Sequence, residues 1–154
     1  MAFTLTSNDF RDGDVLPDAQ VQAKGDTSPH LAWSGAPEGT KSFAITLFDP
    51  DAPTGSGFWH WTVANIPADV SEIAAGGPVP SGAVEGRTDY GKTGFGGAAP
   101  PPGHGPHRYI FTVFAVDTDK LEVTPDTSGA VFGFNLHVHT LAKASITATY
   151  ENKG

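Results

Sequence analysis

The 154-residue chain carries 17 acidic against 9 basic side chains, a formal net charge of -8, which opposes binding to nucleic acid or to an anionic membrane surface. One domain over residues 1–154 is the simplest organisation at this length, with enough chain to close a sizeable core. The absence of cysteine excludes disulfides and thiol chemistry, and no apolar run approaches the length of an integral membrane segment.

At the N-terminus Phe3, Leu5 and Ser7 alternate with Thr4 and Thr6, which predicts a strand before the turn Asp12-Gly13-Asp14. This stretch has neither the basic residues nor the long apolar core of a secretion signal, so the expected location is cytoplasmic. Leu31-Ala32-Trp33 predicts a second short strand, with Trp33 in the core. Over 42–48 the period is two, and both residue sets are apolar: Phe43, Ile45 and Leu47, then Ala44, Thr46 and Phe48. Such a strand is covered on both faces. Further strands are predicted over 59–66, 109–116 and 145–150. Between 66 and 109 runs a glycine-rich excursion, read as a site-forming loop because structureless connections of that length are usually functional or disordered. A helix is expected over 136–143, capped by Asn135 and placing Leu136, His139 and Lys143 on one face, with a shorter turn over 127–131. Short strands between glycine- and proline-rich turns specify an all-β sandwich or barrel.

Chemistry gathers in two segments at strand ends. The first is Asp49-Pro50-Asp51-Ala52-Pro53, followed by Phe58-Trp59-His60-Trp61. The second is Pro100-Pro101-Pro102-Gly103-His104-Gly105-Pro106-His107-Arg108-Tyr109. Rigid loops on a sheet scaffold are where binding groups are commonly held. Asp49, nearer the strand end, is the better pocket candidate, while Asp51 also suits a turn-bracing carboxylate. His60 is either a buried structural histidine or a ligand group that donates to Asp49 through one ring nitrogen and offers the other to an anion. A carboxylate–imidazole pair of that kind favours the charged imidazole. Strict alternation sets His60 and Thr62 on one face and Trp59, Trp61 and Val63 on the other. Alternation also lets His107 and Tyr109 enter a pocket together, with Arg108 turned outward or buttressing an acid. Two imidazoles, a phenol and loop N–H groups suit phosphate or carboxylate.

Other chemistries find less support. His60, His104, His107, Asp49 and Asp51 are metal-ligand types, but no metal-binding motif orders them, and no metal or cofactor is expected. His137 and His139, two apart on a helix, diverge. No Gly-x-Ser-x-Gly elbow marks a nucleophile, which leaves hydrolysis with His60 or His107 as base a minor reading.

The same residues carry a resemblance. Asp49-Pro50-Asp51-Ala52-Pro53, His60 and Gly103-x-Gly105-x-His107-Arg108-Tyr109, in that order, resemble the phosphatidylethanolamine-binding protein family, above all its bacterial branch, often called Raf-kinase-inhibitor-like. Ser28-Pro29-x-Leu31-x-Trp33, Lys41-Ser42-Phe43-Ala44 and Asn135-Leu136 with Leu141-Ala142-x-Ala144 extend the likeness over nearly the whole chain. The resemblance implies a Greek-key β-sandwich of antiparallel sheets with a short C-terminal helix. It also implies a small pocket for phosphate, acetate or a phosphorylated headgroup, lined by Asp49, His60, His107 and Tyr109, with Pro53 and Trp59 or Phe58 at its wall. Trp61 and the abbreviated C-terminal helix depart from mammalian members. Bacterial relatives resemble homodimers, which makes a second copy a possible partner. The expected function is therefore non-catalytic binding of a small anionic ligand. The alternative is a protein-interaction module that inhibits a kinase or protease.

Overall fold

The computed structural model describes residues 2–154. Eight strands and one α-helix follow in chain order: β1 (Thr4–Thr6), β2 (Leu31–Ser34), β3 (Ser42–Asp49), β4 (Phe58–Pro67), β5 (Glu72–Ile73), β6 (Val84–Glu85), β7 (His107–Val116), α1 (Gly129–His139) and β8 (Thr140–Tyr150). They form two antiparallel sheets, ordered β1-β2-β5 and β6-β4-β3-β7-β8. The all-β sandwich expected from the sequence is borne out. β3 pairs with β4 on one edge and with β7 on the other, so the chain leaves the sheet after β4 and returns on the far side of β3.

The core lies where the pleat aims every second side chain between the sheets. Phe43, Ile45 and Leu47 of β3, Phe111, Val113 and Ala115 of β7, and Trp61, Val63 and Ile66 of β4 meet Leu5, Leu31, Trp33 and Ile73 of the smaller sheet. The opposite face of the larger sheet carries Ala44, Ala64 and Val116, and these are covered by Phe132 and Leu136 of α1. That double cover explains why β3 is apolar on both sides.

Two sequence expectations are corrected. The helix starts at Gly129 under a Ser128 cap, whose hydroxyl accepts from the Val131 N–H, and it ends at His139. Asn135 is mid-helix, where its amide donates to the Val131 carbonyl. Residues 140–143 belong to β8, paired to β7 from Val116↔Thr140 onward, so Lys143 shares no helical face with Leu136. Sheet pairing with β7 outweighs the helix propensity of Leu141, Ala142 and Lys143. Gly129 and Gly133 conceal the true helix from a propensity reading, yet Gly129 is required. A Cβ there would lie 2.2 Å from Trp59 Cγ, so only glycine lets α1 sit this close to the sheet.

The excursion between β4 and β7 is not structureless. It contributes β5 and β6, bridges Val21 to Ala98 and Arg87 to Thr93, and ties back to β4. Gly96 N–H donates to the His60 carbonyl at 2.9 Å, and Asp89 N–H to that of Trp59 at 3.0 Å. The excursion is thereby fastened beside the end of β4 that carries His60.

Candidate functional site

A β-bulge at the start of β4 builds one wall of the site. Leu47 pairs with Trp61 and Phe48 with Trp59, which leaves His60 as the extra residue. Bulges re-aim side chains in this way and occur beside functional sites. Here His60 and Trp61 both turn toward the sandwich interior, while Trp59 turns to the helix side. Trp59 stacks on Phe48, with ring centroids 4.5 Å apart, beneath Gly129. The Trp59 predicted for the pocket wall is therefore on the other side of the sheet, and Phe58 takes its place. Strict alternation failed because no sequence signal marks the bulge.

The interior-facing residues surround a cavity of about 200 Å³, lined by Asp49, Pro53, Phe58, His60, His107 and Tyr109 among others. The structure thus brings together five of the six residues named from the sequence. Asp49 ends β3, and His107 and Tyr109 begin β7. Pro53 comes from the β3–β4 loop, and the far rim is Ala99, Pro100 and Pro101. Tyr90 also lines the cavity, unforeseen from the sequence. Its hydroxyl donates to the Gly97 carbonyl at 2.7 Å, and its ring lies edge-on to Phe58 and His60. Only its place in an excursion read as site-forming hinted at this role.

The hydrogen bonds define the chemistry. Asp49 is buried, and its Oδ2 accepts from His107 Nδ1 at 2.7 Å while its Oδ1 accepts from the Asp51 N–H at 2.7 Å. The carboxylate–imidazole pair is therefore Asp49–His107, not Asp49–His60. The other nitrogen of His107, Nε2, meets Nδ1 of the exposed His104 at 2.6 Å. His60 Nδ1 instead donates to the Gly96 carbonyl at 2.9 Å, which leaves Nε2 as the nitrogen outside that bond. Burial pulls the His60 pKa below its ordinary value, although Asp49 and the Gly96 carbonyl act the other way. The sequence-based expectation that His60 favours its charged form through a bond to Asp49 is thereby corrected: burial favours the neutral imidazole.

Asp51 braces the rim. It accepts from the Arg108 N–H at 2.8 Å and takes the guanidinium in a fork, with contacts of 3.0 and 2.9 Å. That pairing holds its carboxyl down at about 2. Arg108 is thus a buttress turned away from the cavity, as alternation along β7 predicts.

Tyr109 is fully buried, and its hydroxyl lies beside the Asp49 carboxylate and the Ala99 backbone without closing a well-formed hydrogen bond to either. Burial, and next the nearby Asp49 charge, push its pKa upward, so the phenol stays protonated and available as a donor. Burial likewise pushes the Tyr90 phenol up to about 12. Among the described residues no three His, Cys, Asp or Glu side chains are grouped to hold a metal ion. No helix of these residues is long and apolar enough to cross a membrane.

The sequence and fold are shared with known proteins. The chain is 54% identical over 156 residues to the UPF0098 protein YbhB of Escherichia coli K12, covering 95% of this chain and 98% of that one. It is 50% identical over 163 residues to YbcL of the same organism, covering 99% and 89%. The crystal structure of E. coli YbcL, described as a new member of the mammalian PEBP family, superposes with a TM-score of 0.95 at 49% identity, covering 98% of this chain and 99% of that one. A putative phosphatidylethanolamine-binding protein homologue from Chlamydia trachomatis gives 0.87 at 30% identity, covering 98% of each. The family described as phosphatidylethanolamine-binding protein matches residues 6–151. On sequence and fold alike, the chain belongs to the phosphatidylethanolamine-binding protein family and is closely related to the bacterial YbhB and YbcL proteins.

Proposed function

We propose that the cavity binds a small anionic ligand, a phosphate, carboxylate or phosphorylated headgroup, without transforming it. The observation that carries this reading is the convergence of Asp49, His60, His107 and Tyr109 on one cavity, with His60 Nε2 left outside the hydrogen bond that its Nδ1 makes to Gly96. His60 Nε2 faces the same space. It accepts from a ligand that carries its own proton, or takes up a proton and donates to one that does not.

Asp49 narrows the ligand class. Its carboxylate is part of the wall and is bonded to the imidazole of His107, and no Lys or Arg among the described residues lines the cavity, so the site has little fixed positive charge. A monoanion, or a phosphate that keeps one proton, meets less repulsion there than a bare dianion. Apolar walls from Phe58, Pro53 and Pro101 suit the small organic part of such a ligand. Catalysis finds less support, since the outer nitrogen of His107 meets a second imidazole and not a hydroxyl nucleophile.

Calorimetric titration of phosphate and of phosphoethanolamine into wild type and His60→Ala tests the reading, with sulfate as the control for phosphate's own ionisation. Saturable binding to wild type that is lost in the variant is expected, with sulfate weaker than phosphate at pH 6. No binding to wild type would overturn it.

A second reading, the interaction module, draws on a different surface. Val131 (53% exposed), Phe134 (67%) and Val138 (57%) form a stripe on α1 that runs on to Leu141 (45%), at helical spacing and across the sheet from the cavity. Inhibition of a kinase or protease that survives His60→Ala and is lost in Phe134→Lys belongs to this second reading.

A further inference from the structure

His104 lies outside the set of residues that face the cavity, yet its geometry ties it to them. It stands between Gly103 and Gly105, whose φ angles of 75° and 87° occupy the left-handed region. The loop is fastened by Gly103 N–H to the Asn152 carbonyl at 3.0 Å and by His104 N–H to the Pro101 carbonyl at 3.2 Å. This folds the ring back against His107, centroids 4.8 Å apart, with His104 Nδ1 and His107 Nε2 separated by 2.6 Å. A nitrogen pair at that distance holds one proton between them. His107 already donates from Nδ1 to Asp49. In the neutral pair His107 Nε2 is therefore the acceptor, and the shared proton sits on His104 Nδ1.

We infer that His104 is a functional residue of this site: the solvent-facing end of a proton relay, His104–His107–Asp49, that sets the charge of the buried wall. A proton from water adds to His104 Nε2. The proton on His104 Nδ1 then crosses to His107 Nε2. His104 is left neutral as the other tautomer, and His107 becomes an imidazolium between Asp49 and the cavity. Protons balance with one taken from solvent, and no bond other than N–H is made or broken. A second added proton would set two N–H groups head to head across 2.6 Å, so the pair accepts one only. His107 is 1% exposed, and through His104 it exchanges protons with water while a ligand fills the cavity.

The groups around the pair support this placement. Asp49 on β3 accepts from His107 Nδ1. Asp51 is neutralised by Arg108. Tyr109 on β7, Tyr90 in the excursion and the neutral His60 on β4 carry no charge near neutral pH. Past the β8 residue Tyr150, which pairs with His107, Glu151 and Lys153 share a groove with Lys24, Pro101 and Pro102.

This inference rests on the anion reading for its purpose but not for its test. Long-range proton–nitrogen NMR on the ligand-free protein follows both rings from pH 8 to pH 5. The expected result is one coupled one-proton step that moves His104 and His107 resonances together, with protonated Nε2 on His107 below it. Two independent steps, or a His107 that never takes the second proton, overturns the relay. The functional arm uses acetate, which stays singly charged from pH 6 to pH 8. Wild-type affinity is expected to rise about tenfold toward pH 6, as linkage to one proton allows. His104→Gln, which offers His107 Nε2 an N–H but carries no titrating proton, reduces that rise to about twofold or less. An unchanged profile in His104→Gln counts against the relay, whereas absent acetate binding in wild type counts against the anion pocket and leaves the NMR result to decide the relay.

Discussion

Tyr109→Phe separates a binding role from a structural one because the two predict opposite signs. The hydroxyl is fully buried and closes no well-formed hydrogen bond within the protein, with Asp49 and the Ala99 backbone beside it, so its desolvation cost of about 1–3 kcal/mol is offset only in part. Deleting the oxygen leaves a void of about 10–15 Å³, worth about 0.3 kcal/mol of lost packing, and at this site it merges with a cavity of about 200 Å³. The net expectation is a gain in stability on the order of 1 kcal/mol, a rise of roughly 2–4 °C in Tm for a domain of this size. Ligand affinity moves the other way. A hydrogen bond to a charged acceptor contributes about 1.5–3 kcal/mol, so phosphate binding weakens by about tenfold or more. Urea unfolding of the ligand-free protein and calorimetric phosphate titration, on the same two samples, provide both readings. A variant destabilised by about 1 kcal/mol or more would show that the hydroxyl is bonded in the folded protein. Unchanged affinity would refute its role as a ligand donor.

Three further outcomes follow from the geometry. Gly129→Ala sets a Cβ 2.2 Å from Trp59 Cγ, and the strain of about 1–3 kcal/mol exceeds the helix-propensity gain of about 1 kcal/mol; a lower denaturation midpoint is expected, and a higher one would mean that α1 shifts freely. For His60, burial holds the folded pKa below the 6.5 of an unperturbed imidazole, so the unfolded chain protonates first and stability falls as pH drops below 6.5 toward the folded value; His60→Gln flattens that slope in urea midpoints taken between pH 8 and pH 5, and an identical slope would remove His60 as its source. The Asp51 carboxyl is held down from 3.8 to about 2 by Arg108, so its contribution is present above pH 3.8 and lost as pH falls through about 2. Arg108→Met should narrow the difference in urea midpoint between pH 5 and pH 2.5, and both residues are exposed enough that the change is small.

How much of this was legible in the sequence depended on whether a residue's direction is set locally or by a partner. β7 follows simple alternation, so His107, Tyr109 and Arg108 could be assigned to faces from spacing, whereas Asp49 was singled out only by its nearness to the end of β3. The bulge in β4 could not be. An extra residue at His60 is a property of the β3–β4 pairing, and it moved Trp59 from the expected pocket wall to the underside of α1. The hydrogen-bond partner of Asp49 was misassigned for the same reason. The strand-end position of His107 brings its Nδ1 to that carboxylate, while Gly96 from the excursion captures Nδ1 of His60. The helix was misplaced because its glycines answer to Trp59 and its expected C-terminal half was claimed by pairing with β7. Tyr90 and His104 stood in segments recognised as loop-rich and site-forming, but their contacts depend on long-range folding of those loops.

The electrostatic layout also bears on how an acidic chain would serve the proposed anion site. A pocket lined with fixed cations would be permanently attractive and would hold dianions regardless of pH. Here the fixed charge at the wall is negative, on Asp49, and the positive charge is conditional. Burial disfavours the charged form of His60, a cost that an anion bound in the proposed site would offset. His107 is poised against Asp49 on one side and His104 on the other. Binding an anion and binding a proton therefore favour each other, and by linkage each strengthens the other equally. The bulge that turns His60 inward and the glycine pair that turns His104 back are the two local distortions that make this coupling possible, and neither improves the packing of the sandwich they interrupt.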